Sequence, residues 1–342
     1  MHLLIDVRTS CLSDLPNLYY AETWADIWLS YHKNDKITFL AFEGDPVRKH
    51  ECIFISRKWS LFQKKLAAHN YWPDRIISFS SLPPIDISTP TILHVSDLRM
   101  KHYEQWSMNI LTQKILERSM KKLYSSAKHI IVPWKEIGSE LEELYAINES
   151  HIAVLPYLTK NIEKESFSSI KKVALTHGIS DEYFITEGTP TDEWQPIQLI
   201  QAYSKYIHEK NGHEELLILW DMGENFDKIV TLIRALGLLY HVKIIGILSK
   251  EDREDIYRNS KGWIYIGYYY SRWASVELAH SYSIPLYLSD IPGLSGYNGI
   301  YIHPNQMDQL VNIISTPEAK GISHMKNDNQ DIMQVYTRII SE

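Results

Sequence analysis

The chain has 342 residues, of which 44 % are hydrophobic and 23 % charged. That composition excludes a disordered or fibrous polypeptide and leaves room for about two domains at ~150 residues each. The formal net charge of −7 argues against wholesale nucleic-acid binding. The two cysteines, Cys11 and Cys52, exclude a disulfide scaffold and predict free thiols in a reducing compartment. No run of 18 apolar residues predicts a transmembrane helix, and Met1–Arg8 lacks the charged start and long apolar run of a signal peptide. A cytoplasmic location is the expectation.

In chain order, short apolar runs alternate with amphipathic stretches. Leu3–Val7 reads as a buried strand, Tyr20–Tyr31 as a helix and Ile37–Phe42 as a strand. Ile76–Phe79 and Thr91–Val95 are further strands, followed by a long helical pattern over Ser107–Tyr124. His129–Val132 (strand), Ser139–Tyr145 (helix) and Ile152–Leu155 (strand) complete a first half. Thr159–Ser169, rich in Lys, Glu and Ser, has no apolar period and reads as a linker. The pattern then restarts: strand Tyr183–Thr186, helix Gln198–Ile207, strand Glu215–Trp220 and helix Phe226–Leu238. Strand Val242–Ile247, helix Lys250–Arg258, strand Trp263–Ile266 and helix Ser275–Tyr282 follow. Strands Leu286–Ser289 and Tyr301–His303 and a closing helix over Asp328–Ile340 end the chain. Alternation of this kind predicts an α/β fold with two doubly wound parallel sheets, whose ligands sit at the carboxyl ends of the strands. The predicted boundaries are 1–165, 166–322 and a terminal helix in 323–342. Charge divides along the same line: residues 1–165 hold 20 basic and 20 acidic residues, and 166–342 hold 15 and 22.

Several segments resemble the family 4 glycosyltransferases of the GT-B fold. The strongest is Val276-Glu277-Leu278-Ala279-His280, then Ser283-Ile284-Pro285, Leu288-Ser289-Asp290-Ile291-Pro292-Gly293-Leu294 and Tyr301-Ile302-His303-Pro304-Asn305. Ala127–Val132 and Ile152–Pro156 resemble the family's last N-terminal-domain elements, and Leu4–Arg8 its opening strand. The resemblance implies two Rossmann-like domains facing a cleft, with the C-terminal helix packing back on the N-terminal domain. It also implies retaining, metal-independent transfer of a sugar from a nucleotide-sugar donor to a glycan, lipid-linked or protein acceptor, with no cofactor.

The family's donor-site features are altered here. Its Gly-rich turn after the first strand lets backbone amides approach a diphosphate, but this chain has no glycine before Gly44. Its basic pair after the first strand of the second domain neutralises the leaving diphosphate. After Gly188 this chain has Glu193 and Trp194 in those places. Its paired glutamates are matched only at the second position, Glu277, with Tyr269 eight residues earlier. The candidate donor-binding residues are therefore Glu277, Arg272, Tyr269, Gly188 and Trp194. Glu277 is either a ribose contact or a carboxylate favoured by a helix start. Arg272 is either a bidentate phosphate ligand or a solvated, tyrosine-stacked arginine. Lys243 and Lys250 are alternative sources of a compensating cation. A plug of Trp194, Tyr269 and Trp273 is the opposite expectation, a closed pocket.

In the first half, His94 and Asp97 end a strand and are candidates for an acceptor base or for a core histidine with a capping aspartate. No histidine spacing suggests a metal site. Residues 99–128 carry seven basic and two acidic residues, and Arg57, Lys58, Lys64 and Lys65 flank Trp59 and Phe62. Together with Lys114, Arg118, Lys121 and Lys122 they suit an anionic membrane surface or a lipid-diphosphate acceptor, or else simply a solvated face. Two functions follow from the sequence. One is a glycosyltransferase with an altered donor site. The other is an inactive homologue that binds a glycan, a glycoprotein or a partner glycosyltransferase chain.

Overall fold

The computed structural model describes residues 1–8, 15–47, 50–58, 72–80, 89–96, 98, 110–158, 176–188, 194–220, 225–246, 248–268, 273–291, 294–295, 297–316 and 329–342. Asp97, Tyr269, Arg272, Lys64, Lys65, Glu193 and the expected linker Thr159–Ser169 lie outside the described residues, as does the side chain of Trp273. The chain divides into two compact units. One comprises Met1–Lys160, Ser271–Ala274 and Lys326–Glu342, the other Asn161–Tyr270 and Ser275–Met325.

The first unit holds β1 (His2–Asp6), α1 (Leu15–Tyr31), β2 (Lys36–Phe42), β3 (Glu51–Ile55), β4 (Arg75–Ser78) and β5 (Thr91–His94). It continues with α2 (Ile110–Ser126), β6 (His129–Val132), α3 (Lys135–Tyr145) and β7 (Ile152–Val154). The sheet is parallel throughout, in the order β3-β2-β1-β4-β5-β6-β7. Because both faces of such a sheet are covered, its strands are apolar at successive positions rather than alternating. Leu3, Leu4 and Ile5 of β1 are accordingly fully buried.

The closing helix of the chain (Asn329–Ser341) also belongs to this unit. Its buried residues Ile332, Met333, Tyr336, Ile339 and Ile340 form one helical stripe. Tyr336 stands edge-on to Trp24 of α1 at 5.6 Å, Thr337 bonds His32, and the Ile340 carbonyl accepts from Arg75. The terminal helix therefore packs back on the first unit, as the resemblance implies.

The second unit holds β8 (Tyr183–Gly188), α4 (Pro196–Lys210), β9 (Glu215–Trp220), α5 (Phe226–Ala235), β10 (Val242–Ile244) and α6 (Lys250–Asn259). It continues with β11 (Gly262–Tyr265), α7 (Trp273–Ser281, of which Ser275–Ser281 fall in this unit), β12 (Leu286–Ser289), β13 (Ile300–Ile302) and α8 (Met307–Ile314), which makes the closing helix α9. This sheet is also parallel, in the order β10-β9-β8-β11-β12-β13. Ile200, Tyr203 and Ile207 of α4 pack into one core with Phe184, Leu216, Ile218 and Ile264, as their spacing of three and four predicts.

Among the described residues, a strand and an α-helix have no counterpart in the sequence pattern. Strand β3 lies at the sheet edge, where Phe54 is exposed between buried Ile53 and Ile55, and its short run starts at the charged Glu51. Helix α8 is eight residues long, too short for helical periodicity to stand out. Both sheets are doubly wound, so each has a switch point where the strand order reverses: β1/β4 in the first unit and β8/β11 in the second. Ligands of this architecture bind at the carboxyl ends there.

Candidate functional site

In the second unit Gly188 and Trp194 lie at the carboxyl end of β8, and Glu277 lies on α7, the helix that follows β11. Glu277 lies in the second turn of α7 and is 6 % exposed. Tyr297 Oη donates to its Oε1 at 2.8 Å. Burial pushes the carboxyl group up to about 7, against the opposing pull of the Tyr297 hydrogen bond. Near neutrality Glu277 thus divides between its acid and its carboxylate.

Gly188 ends β8 and is buried. A Cβ at this position would lie 2.1 Å from a ring carbon of Trp194, so the indole itself requires a glycine there. Trp194 is 3 % exposed and stands edge-on to Tyr265 of β11, 4.7 Å between centroids. The space over the end of β8 is filled by an aromatic ring, where the resemblance calls for a cation. Gln195 holds this arrangement in place. Its backbone is left-handed, with φ of 49°, and its buried amide nitrogen donates to the carbonyls of Ile266 at 2.9 Å and Pro304 at 3.0 Å. The segment after β8 is thereby tied to the segments that follow β11 and β13.

The sequence reading missed the cation that does sit at this switch point. Arg253, on α6, is 6 % exposed and forks onto Glu187, the penultimate residue of β8. Its Nε donates to both carboxylate oxygens at 3.0 and 3.1 Å, and its Nη2 donates to Oε2 at 2.7 Å and to Ser275 Oγ at 3.1 Å. Tyr257 Oη also donates to Glu187 and accepts from Trp263 Nε1 at 3.1 Å. Ser275 is two residues before Glu277 on α7. Arg253 looks in sequence like one more charge on a polar helix; only its position opposite Glu187 marks it. Lys243, in contrast, is engaged elsewhere, with Glu215 at 2.8 Å and the Gly178 carbonyl.

In the first unit His94 ends β5 beside a small cleft lined by Tyr20, Ser96, Tyr157 and Tyr336 among others. Its imidazole stacks on Phe79 at 4.1 Å and on Tyr336 at 5.7 Å, and burial lowers its pKa to about 3. At neutral pH it is an uncharged ring, with the Tyr336 hydroxyl 3.4 Å from Nε2. Of the basic surface residues, Arg57 lies over the Phe42 ring at 4.4 Å and 3.6 Å from Asp45, and Lys58 is exposed. Lys114, Arg118, Lys121 and Lys122 are all exposed along α2, with Glu117 among them. The one group of potential metal ligands among the described residues is Glu182, His213 and Glu214. The Lys261 ammonium already bonds Glu182 at 2.9 Å and Glu214 at 2.8 Å, at the opposite ends of the strands.

No protein-family model matches the chain, and no curated protein matches it in sequence. Solved structures do match in fold. HepE of Anabaena, in complex with UDP and glucose, superimposes with a TM-score of 0.71 at 15 % identity, over 100 % of this chain and 99 % of that one. WaaG, a glycosyltransferase of lipopolysaccharide biosynthesis, gives 0.68 at 12 % identity over 99 % of each chain. A glycosyltransferase from Rickettsia africae gives 0.64 at 15 % identity, over 99 % of this chain and 93 % of that one. The fold is GT-B, with two Rossmann-like α/β units.

Proposed function

We propose that the chain is a glycosyltransferase-like protein that takes a nucleotide sugar in its second unit and transfers the sugar, with retention and without a metal or other cofactor, to a glycan, lipid-linked or protein acceptor. The observation that carries this reading is Glu277, a buried carboxylate on the helix after β11, in a chain that matches a UDP- and glucose-bound structure from end to end. Glu277 is assigned to the nucleotide, with the ribose hydroxyls donating to it. The donor site is altered, because Trp194 fills the position where the resemblance implies a cation. A neutral His94 suits the acceptor side as a hydrogen-bond acceptor for a hydroxyl; with a pKa of about 3 it has little driving force to remove a proton. We also assign the exposed cations of α2 to an anionic membrane surface or lipid-linked acceptor.

A second reading, an inactive homologue that serves a partner glycosyltransferase chain or binds a glycan or glycoprotein, is favoured by one observation. Trp194 is buried on Gly188 and clamped there through Gln195. Thermal unfolding with UDP, UDP-sugars and other nucleotide diphosphates separates the two. A ligand at 100 times its dissociation constant stabilises a fold by about 2.7 kcal/mol, a shift of a few degrees. The transfer reading expects such a shift with wild type, abolished in Glu277→Ala. The second reading expects no shift with wild type at millimolar nucleotide. It expects one in Trp194→Ala, which opens the plugged space while losing about 3–5 kcal/mol of stability.

A further inference from the structure

We propose that Tyr297 is the positioning residue of Glu277: its hydroxyl holds one carboxylate oxygen, Oε1, and leaves the other, Oε2, for the vicinal hydroxyls of the ribose. This rests on the nucleotide-binding reading above and deepens it. Three observations carry the assignment. The first is the division of the carboxylate. Tyr297 Oη donates to Oε1 at 2.8 Å, and among the described residues no further donor reaches Glu277. A carboxylate oxygen has lone pairs for two donors, which matches a vicinal diol.

The second is the bracing of Tyr297 itself. Its ring is buried, and its amide donates to the Leu294 carbonyl at 3.2 Å. Tyr301, on β13, places its hydroxyl within hydrogen-bond reach of the Leu294 carbonyl at 2.7 Å and of the Tyr297 carbonyl, one proton serving both. His280, three residues beyond Glu277 on α7, stands edge-on to the Tyr297 ring at 5.8 Å. The turn before β13 is therefore anchored on that strand and on α7, which fixes the direction of the Tyr297 hydroxyl and, through it, the carboxylate. The third is burial without full pairing. Packing alone favours an apolar side chain at so buried a position, and a carboxylate there calls for donors. Among the described residues its ionisation is balanced between burial and the Tyr297 bond, with His280 the other titratable group against that ring. A ribose that brings two more donors completes the set and favours the charged form. No covalent step is involved.

Calorimetric titration of the full chain with UDP and with its 2′,3′-dideoxy analogue, in metal-free buffer from pH 7 to pH 9, tests the assignment. Tyr297→Phe keeps the ring and its packing and removes only the hydroxyl. Tyr301→Phe, which removes the brace and leaves Tyr297 and Glu277 intact, is the second variant, and melting curves verify that both fold. Loss of the Tyr297 donor raises the carboxyl pKa further, so at pH 7 less of the variant than of wild type is ionised, and the difference shrinks as pH rises. Tyr297→Phe is expected to bind UDP at least fivefold more weakly than wild type at pH 7, with a smaller gap at pH 9. The dideoxy analogue is expected to bind wild type and variant within twofold of each other. Tyr301→Phe is expected to show a smaller loss with the same dependence on pH and on the ribose hydroxyls. A merely structural tyrosine would weaken both ligands by the same factor at every pH. That result, or equal UDP affinity in wild type and both variants, overturns the Tyr297 assignment and leaves the nucleotide reading standing. Wild type that does not bind UDP overturns both.

Discussion

Glu277 shows how burial sets chemistry at a single residue. Its folded-state pKa of about 7 lies above the ordinary glutamate value, so the folded protein holds this proton more tightly than the unfolded chain does. The resulting stabilisation is fully present below about pH 4.5 and is lost as pH rises toward and through 7. A shift of this size corresponds to about 3 kcal/mol between the two limits. Glu277→Gln keeps an acceptor for Tyr297 but has no proton to lose. It is therefore expected to be more stable than wild type by up to about 3 kcal/mol at pH 8 and nearly equal to it at pH 4.5. Denaturant unfolding across that range checks this; parallel curves for the two proteins would contradict it. The sequence identified Glu277 through its place before a small-residue turn and the Ser289–Leu294 segment. Its state of protonation depends on Tyr297, 20 residues away, and on how tightly α7 packs.

At the scale of elements, α9 is the clearest case of a distant segment completing a local core. The stripe Ile332, Met333, Tyr336, Ile339 and Ile340 was readable as helix from its spacing, because one buried face imposes a period of 3.6. Its partner surface is made by α1, β4 and β5, more than 230 residues earlier, through Trp24, Arg75 and His94. Ile339→Ala deletes a side chain that is 4 % exposed and is expected to cost about 3 kcal/mol. The loss belongs to the first unit, so hydrogen exchange at β1 and β5 amides should accelerate while β8 and β9 amides remain protected. Elements with an unbroken apolar run, such as His129–Val132 and Leu286–Ser289, match their expected bounds to the residue. Edge strand β3 and the short α8 do not announce themselves, because exposure on one side or a length of two turns leaves too little pattern to detect.

On the scale of the whole molecule, charge is distributed so that the excess of acid lies in residues 166–342, while α2 in the first unit presents Lys114, Arg118, Lys121 and Lys122 to solvent. If α2 meets an anionic surface, each cation near the lipid contributes roughly 1 kcal/mol. Lys121→Glu/Lys122→Glu is then expected to lower binding to vesicles containing phosphatidylserine by at least tenfold, without changing the melting temperature. Co-sedimentation at low and high salt measures this, since the attraction is screened within about 10 Å at 0.1 M salt. Equal sedimentation of wild type and variant would assign the helix face to solvent alone.

The sequence by itself determined the class of architecture: strands buried on both faces read as apolar runs, helices buried on one face read as stripes, and their alternation specifies two parallel, doubly wound sheets. It also singled out Gly188, Trp194 and Glu277, which stand at the end of β8, after β8 and in the second turn of α7. Only the tertiary structure decided what those residues do together. Trp194 lies on Gly188, and Arg253 meets Glu187 across 66 residues because α6 is brought against β8 by the order of the strands. Periodicity is a local consequence of burial and survives in one dimension. The pairing of charges and rings across crossover connections depends on sheet order and packing, which no local pattern encodes.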